Sequence, residues 1–120
     1  KNSATERMTF GKAIAKHQGV QCKFADLSAE IRAMELMTYD TARMKAEGKR
    51  HTLEAAQTKL FAGTRCTQIC LECQQVLGGN GYSKEYHVER FVRDAKLLEI
   101  GEGTNEILRM LIGGTVLAQK

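Results

Sequence analysis

Val20-Gln21-Cys22-Lys23-Phe24-Ala25-Asp26-Leu27-Ser28-Ala29-Glu30-Ile31-Arg32-Ala33-Met34-Glu35-Leu36-Met37 is the stretch that decides the fold. Its apolar residues Val20, Phe24, Leu27, Ile31, Met34 and Met37 recur at four- and three-residue steps, the stripe of a helix that buries one face. The helix is expected over about residues 17–47 and stops at Gly48, a natural C-terminal signal. Lys49-Arg50-His51 makes the turn, and Thr52 is placed to cap the next helix. That helix reaches about residue 77, with Leu53, Ala56, Leu60, Ile69, Cys70, Cys73 and Leu77 inward. Two long helices joined by a short turn must be antiparallel neighbours. The chain therefore reads as all-α, an up-and-down helical bundle.

The rest of the sequence agrees. With no proline, only glycine interrupts helices. Gly78-Gly79-Asn80-Gly81 is expected as a loop, and a shorter helix follows near residues 89–98. A last helix, about residues 105–118, buries Ile107, Met110 or Leu111, and Val116. No sustained alternation and no hairpin dipeptide between β-branched runs marks a strand. Neither an internal repeat nor a low-complexity segment is visible.

At 120 residues the chain is one domain, near the lower end of typical size. Its 18 Lys+Arg and 14 Asp+Glu are interleaved and leave a net charge of +4. No basic block with interleaved aromatics suggests a nucleic-acid surface. No apolar run is long enough to span a bilayer, and the start, Lys1 rather than Met, has no signal-peptide core. These features suit a fragment of a soluble enzyme.

Cys66, Cys70 and Cys73 step by four and three, and Cys70-Leu71-Glu72-Cys73 is formally a C-x-x-C. A zinc or redox centre needs a second pair, a nearby histidine or a strand leading into the first cysteine. None is present, so these residues read as small buried hydrophobes and no metal is expected. Cys22 is assigned to the core too, and thiols of this kind imply a reducing compartment. His17, His51 and His87 are scattered without ligand spacing.

The functional signal lies in Ile100-Gly101-Glu102-Gly103-Thr104-Asn105. One carboxylate sits between two glycines, just ahead of a helix. Glycine has no Cβ, so the backbone turns sharply and a ligand can approach. Thr104 is a good N-cap for the helix that follows. Such a bend can project Glu102 into a cavity, where a catalytic base would sit. By spacing alone, a solvated Glu in a helix–loop–helix fits as well.

The run Arg93-Asp94-Ala95-Lys96 through Glu102-Gly103-Thr104-Asn105-Glu106-Ile107 resembles the C-terminal signature of the acyl-CoA dehydrogenases. Gln75-Val76-Leu77-Gly78-Gly79-Asn80-Gly81-Tyr82 matches a second family segment, and Glu6-Arg7-Met8-Thr9-Phe10-Gly11-Lys12 a third, in family order. The resemblance implies that residues 1–120 are the single C-terminal helical domain of a longer enzyme, with an N-terminal helical and a middle β-domain elsewhere. It implies an FAD-dependent oxidation of acyl-CoA to trans-2-enoyl-CoA. Glu102 would be the α-proton base, and Glu102 and Gly103 the substrate-binding positions. A carboxylate in water is a weak base for a carbon acid, and burial against acyl chain and flavin would strengthen it. The Glu102 N–H would hold the thioester carbonyl, stabilising enolate charge.

The family also implies flavin contacts. Arg7, Thr9 and Phe10 correspond to positions reaching the FAD of a neighbouring subunit, with Arg7 on the pyrophosphate. Gln75, Gly78 and Gly79 correspond to the segment around the adenosine half of that same FAD. Thr104 and Glu106 lie where the family touches FAD in its own subunit. Arg90, Arg93 and Asp94 read as structural ion pairs. Gly101 departs from the pattern, since most relatives carry an aromatic before the glutamate. The implied assembly is a homotetramer, a dimer of dimers, with electron-transferring flavoprotein as acceptor. It would reside in the mitochondrial matrix of a eukaryote or the cytoplasm of a bacterium. The alternatives are an inactive assembly or binding module, or an acyl-CoA oxidase on the same fold.

Overall fold

The computed structural model describes residues 2–118. A short helix α1 (Asn2–Glu6) leads into a hairpin of β1 (Met8–Thr9) and β2 (Lys12–Ala13). The strands are antiparallel, with Met8 opposite Ala13 and Thr9 opposite Lys12. After a 3₁₀ turn (Ile14–Lys16) come α2 (Gln18–Ala46), α3 (Thr52–Leu77), α4 (Gly79–Tyr82), α5 (Val88–Ile100) and α6 (Asn105–Ala118). At 1.5 Å per residue, the 29 residues of α2 run about 44 Å, which makes the molecule a rod of 59 × 26 × 24 Å.

Helix α3 is the spine, packing against α2, α5 and α6. Its buried residues Ala56, Gly63 and Thr67 are all small, so neighbouring backbones come close. A Cβ on Gly63 would lie 3.1 Å from the Leu98 carbonyl oxygen of α5. Lys23–Glu72 and Arg65–Glu30 ion pairs join α2 to α3, with a 2.9 Å hydrogen bond between the Thr41 and Thr58 hydroxyls. The buried apolar core is thin: Ala4, Ile14, Leu27, Ala56, Ala95 and Leu108.

Both long helices and the bundle architecture follow the sequence expectation, and Gly48 ends α2 with φ +70°. Several details differ. The hairpin is unannounced by β-branched runs; its two-residue turn is Phe10-Gly11, both at positive φ (49° and 75°), the geometry that suits the twist of a tight hairpin. His51, not Thr52, is the N-cap of α3, with no side-chain cap bond. The 78–81 segment is not simply a loop, because Gly79–Tyr82 forms one helical turn. On α6 the inward residues are Asn105 and Leu108, while Ile107, Met110, Leu111 and Val116 are exposed. Apart from the exposed Glu106 and Arg109, that helix carries apolar residues on several sides, so periodicity alone does not choose its face. Ile31 and Cys22 are exposed on α2 as well; nine residues apart, they lie on opposite sides of the helix, Cys22 off the stripe that buries Leu27.

Candidate active site

The bend at Glu102 is made by backbone geometry that few residue types favour. The Gly101 N–H closes α5 on the Leu97 carbonyl at 2.8 Å. Glu102 then takes φ +57° and Gly103 φ +95°, consecutive left-handed residues. A glutamate there is uncommon and costs on the order of 1 kcal/mol or more, held by what surrounds it. Beyond the bend, the Thr104 hydroxyl accepts the Ile107 N–H at 3.4 Å, which makes it the cap of α6.

Two side chains of α3 and α6 fix this bend. Lys59 Nζ donates to the Gly103 carbonyl at 2.7 Å and to the Leu98 carbonyl at 3.1 Å. Asn105, 4% exposed, donates from Nδ2 to Thr64 Oγ1 at 3.1 Å and to Glu99 Oε2 at 3.3 Å. Its Oδ1 is buried without a partner among the described residues. The Glu99 carboxylate is held below the usual carboxylate range by the Thr67 hydroxyl and then by Lys96. Glu102 itself is exposed and makes no side-chain hydrogen bond or ion pair among the described residues. Glu106 leans 3.5 Å from Arg109, one turn on.

A second cluster forms at the far end of α3. Arg7 Nη1 donates to the Leu77 carbonyl at 3.0 Å, capping the helix. Gly78 sits beside it at φ +62°, where a Cβ would be 3.3 Å from Arg7 Nη1. Arg7, Thr9, Phe10, Gln75 and Gly78 line one open groove of about 470 Å³. Gly79 lines the adjoining cleft, which Arg7 shares. Phe10 is 97% exposed at the groove's edge, edge-on to His17 with centroids 6.1 Å apart. His17 Nε2 lies 3.1 Å from the Thr9 hydroxyl.

The structure thus gathers the predicted residues into two groups. Glu102, Gly103, Thr104 and Glu106 surround the α5–α6 junction; Arg7, Thr9, Phe10, Gln75, Gly78 and Gly79 surround the end of α3. Lys59 and Leu77 mark the two places on α3, and 18 residues of helical rise separate them by about 27 Å.

Lys59, Asn105 and His17 were not anticipated. Lys59 carried a signal: it falls three residues after Ala56 and four before Gly63, a cation on an inward stripe. Arg90 pairs with Asp94 at 3.2 Å and Arg93 with Glu89 at 3.2 Å, as helix-surface ion pairs. The three cysteines of α3 are half-buried. Burial and the Cys66 neighbour push the Cys70 thiol up to about 11, and burial raises Cys73, so both stay protonated near neutrality. Among the described residues, no cluster of His, Cys, Asp and Glu could hold a metal, and no helix is long and apolar enough to cross a membrane.

The family model of the acyl-CoA dehydrogenase C-terminal domain matches residues 2–117. A probable acyl-CoA dehydrogenase of Bacillus subtilis, YngJ, is 46% identical over 114 residues, 95% of this chain and 30% of that protein. The CarC subunit of the caffeyl-CoA reductase-Etf complex of Acetobacterium woodii is 40% identical over 114 residues, with the same coverage of 95% and 30%. The solved structure of butyryl-CoA dehydrogenase from Megasphaera elsdenii superposes with a TM-score of 0.95 at 40% identity, over 97% of this chain and 30% of that one. The chain spans about 30% of the length of these relatives. Agreement in residues and in the placement of helices, end to end, puts this chain in the acyl-CoA dehydrogenase family, at its C-terminal domain.

Proposed function

We propose that residues 1–120 form the C-terminal catalytic and assembly domain of a flavin-dependent acyl-CoA dehydrogenase, which converts acyl-CoA to trans-2-enoyl-CoA. The observation that carries this reading is the Glu102 bend: a carboxylate lifted off both helices, without a partner among the described residues, on a backbone pinned from α3. A residue meant only for solubility would not need a left-handed φ.

Glu102 takes the α-proton of the thioester, and its N–H holds the carbonyl oxygen where negative charge develops. Gly103, with no Cβ, keeps the approach to that N–H open and forms part of the acyl-CoA contact. A bound FAD would supply the acceptor for the β-hydrogen as hydride, so that its loss with the α-proton taken by Glu102 would leave the trans double bond. The residues present fit such a group. Arg7 has no carboxylate partner among the described residues and offers its guanidinium to a pyrophosphate. Gln75 gives the groove an amide and Gly78 a Cβ-free edge, Gly79 does the same in the adjoining cleft, Phe10 adds an exposed ring, and Thr9 a hydroxyl oriented by His17. Thr104 and Glu106 would contact the FAD serving Glu102. A separation of about 27 Å along α3 suits two different cofactors, one in its own subunit and one in a neighbour, within a homotetramer arranged as a dimer of dimers. CarC belongs to a complex with Etf, which supports electron-transferring flavoprotein as the acceptor. The enzyme would work in a mitochondrial matrix or a bacterial cytoplasm.

The test is Glu102→Gln in the full-length enzyme, which keeps size and backbone N–H but cannot accept a proton. Flavin bleaching on rapid mixing with acyl-CoA is expected to slow by at least about 10²–10⁴-fold, while substrate still binds. A reductive half-reaction within about tenfold of wild type would take Glu102 out of the role.

A further inference from the structure

We infer that Lys59 is a positioning residue for Glu102: one ammonium ties down the chain on both sides of the bend and so aims the carboxylate and the N–H. The inference rests on the reading of Glu102 as the α-proton base. A helix leaves its last carbonyls without intrahelical donors. At the end of α5 the Leu98 carbonyl finds its donor in Lys59 Nζ at 3.1 Å. The same nitrogen meets the Gly103 carbonyl at 2.7 Å. Leu98 comes before Glu102 and Gly103 directly after it, so a single cation brackets the base.

Between these two anchors lie the left-handed residues Glu102 and Gly103, a conformation that persists only where the surroundings over-determine it. Gly63, one turn beyond Lys59 on the same face of α3, supplies the close approach. Its missing Cβ brings the α3 backbone against the Leu98 carbonyl, which puts both acceptors within reach of the lysine stem. A positive charge also suits the negative end of the α5 dipole. Lys59 pairs with no carboxylate among the described residues, so its donors serve carbonyls rather than a surface ion pair. Asn105 holds the start of α6 to Thr64 of α3 and reaches back to the Glu99 carboxylate of α5, a side-chain link across the bend. Lys59 is the link that holds backbone carbonyls on either side of Glu102.

The experiment uses full-length, FAD-loaded enzyme and an acyl-CoA analogue with sulfur in place of the β-carbon. No hydride can leave this probe, yet its α-proton still exchanges with D₂O, so exchange reports proton transfer alone. A misplacement of about 1 Å can cost about 10²-fold, and Lys59→Met is expected to slow exchange to that degree while binding of the analogue changes less than about threefold. Lys59→Arg restores donors on a long stem and is expected to recover exchange to within about tenfold of wild type. A lysine that is merely structural would lower thermal stability and flavin content but leave exchange per bound flavin unchanged. Exchange within about threefold of wild type in Lys59→Met overturns the inference. Should Lys59→Met fail to fold, Lys59→Gln, whose amide stops short of both carbonyls, is judged by the same criterion. Glu102→Gln is measured alongside. If it retains exchange, the base assignment itself fails; if it blocks exchange and the lysine variants do not, only Lys59 loses its role.

Discussion

Gly81→Ala is the substitution whose cost the structure defines most sharply. A Cβ at this position would stand 2.4 Å from the Gln74 carbonyl oxygen, 3.0 Å from Gln74 Cα and 3.0 Å from Leu77 Cβ. Ordinary contact begins near 3.4 Å, so the new methyl is short by about 1 Å, and the obstructing atoms are mostly backbone of the last turn of α3. Relief requires α4 to swing away from α3, which breaks the 3.1 Å hydrogen bond from Gln74 Nε2 to the Gly81 carbonyl. Overpacking of this kind costs about 1–3 kcal/mol and the lost bond about 0.5–1.5, which together give roughly 2–4 kcal/mol. Gly79→Ala is the control two residues away. Nothing lies within 4 Å of its Cβ and its φ is not left-handed, so the loss of unfolded-state freedom should stabilise by about 0.4–1 kcal/mol. Thermal unfolding of the full-length variants stripped of flavin, followed by circular dichroism, measures the contrast without the contribution of Gly79 to FAD binding. At roughly 2–4 °C per kcal/mol for a large domain, Gly81→Ala should melt about 4–16 °C lower than wild type, and Gly79→Ala no lower. Equal melting of the two variants would refute the close approach of α4 to α3.

Arg7→Ala removes a charge-assisted contact of about 1.5–3 kcal/mol, so FAD retention in the full-length enzyme should weaken roughly 10- to 150-fold without loss of helix content. An Arg7→Ala enzyme that keeps flavin on dilution as wild type does would limit Arg7 to capping α3. The 120-residue chain by itself should fold as helices, self-associate through exposed Met110, Leu117 and Ile107, and bind FAD weakly; tight stoichiometric binding by a monomer in equilibrium dialysis would contradict this. Glu99 has a folded pKa below its ordinary 4.5, so the unfolded state binds more protons through that window. Its stabilisation of the α5–α6 junction is therefore present above about 4.5 and lost as pH falls through the depressed value. Glu99→Gln should flatten the acid limb of stability, and an unchanged limb would remove Glu99 from that role.

What could be read from the chain is local and periodic. The stripe from Val20 to Met37 specifies a helix whatever it packs against, and Gly48 terminates it because an αL residue is cheap only for glycine. Glu102 between two glycines announced a bend for the same reason. The details that escaped depend on partners. Ile31 belongs to the amphipathic stripe yet is exposed, because a stripe fixes a face but not how much of it a neighbour covers; Cys22, off the stripe, is exposed as well. The Phe10-Gly11 turn gave no strand signal, since a two-residue ladder rests on turn geometry rather than on β-branched composition.

By itself, the sequence determined the helical class, the antiparallel pairing of the two long helices and the bend that carries Glu102. These are consequences of spacing, and spacing survives without knowledge of neighbours; the family was legible separately, through the resemblance of three motifs. Tertiary structure alone decided which face of α6 turns inward, because apolar residues lie on several sides of that helix and only the position of α3 selects Leu108 over Ile107. It also decided that Arg7 and Gln75, 68 residues apart in the chain, line one groove. And it placed Lys59 against the Gly103 carbonyl, 44 residues on, a contact no local pattern encodes because it needs Gly63 to bring α3 and α5 together first.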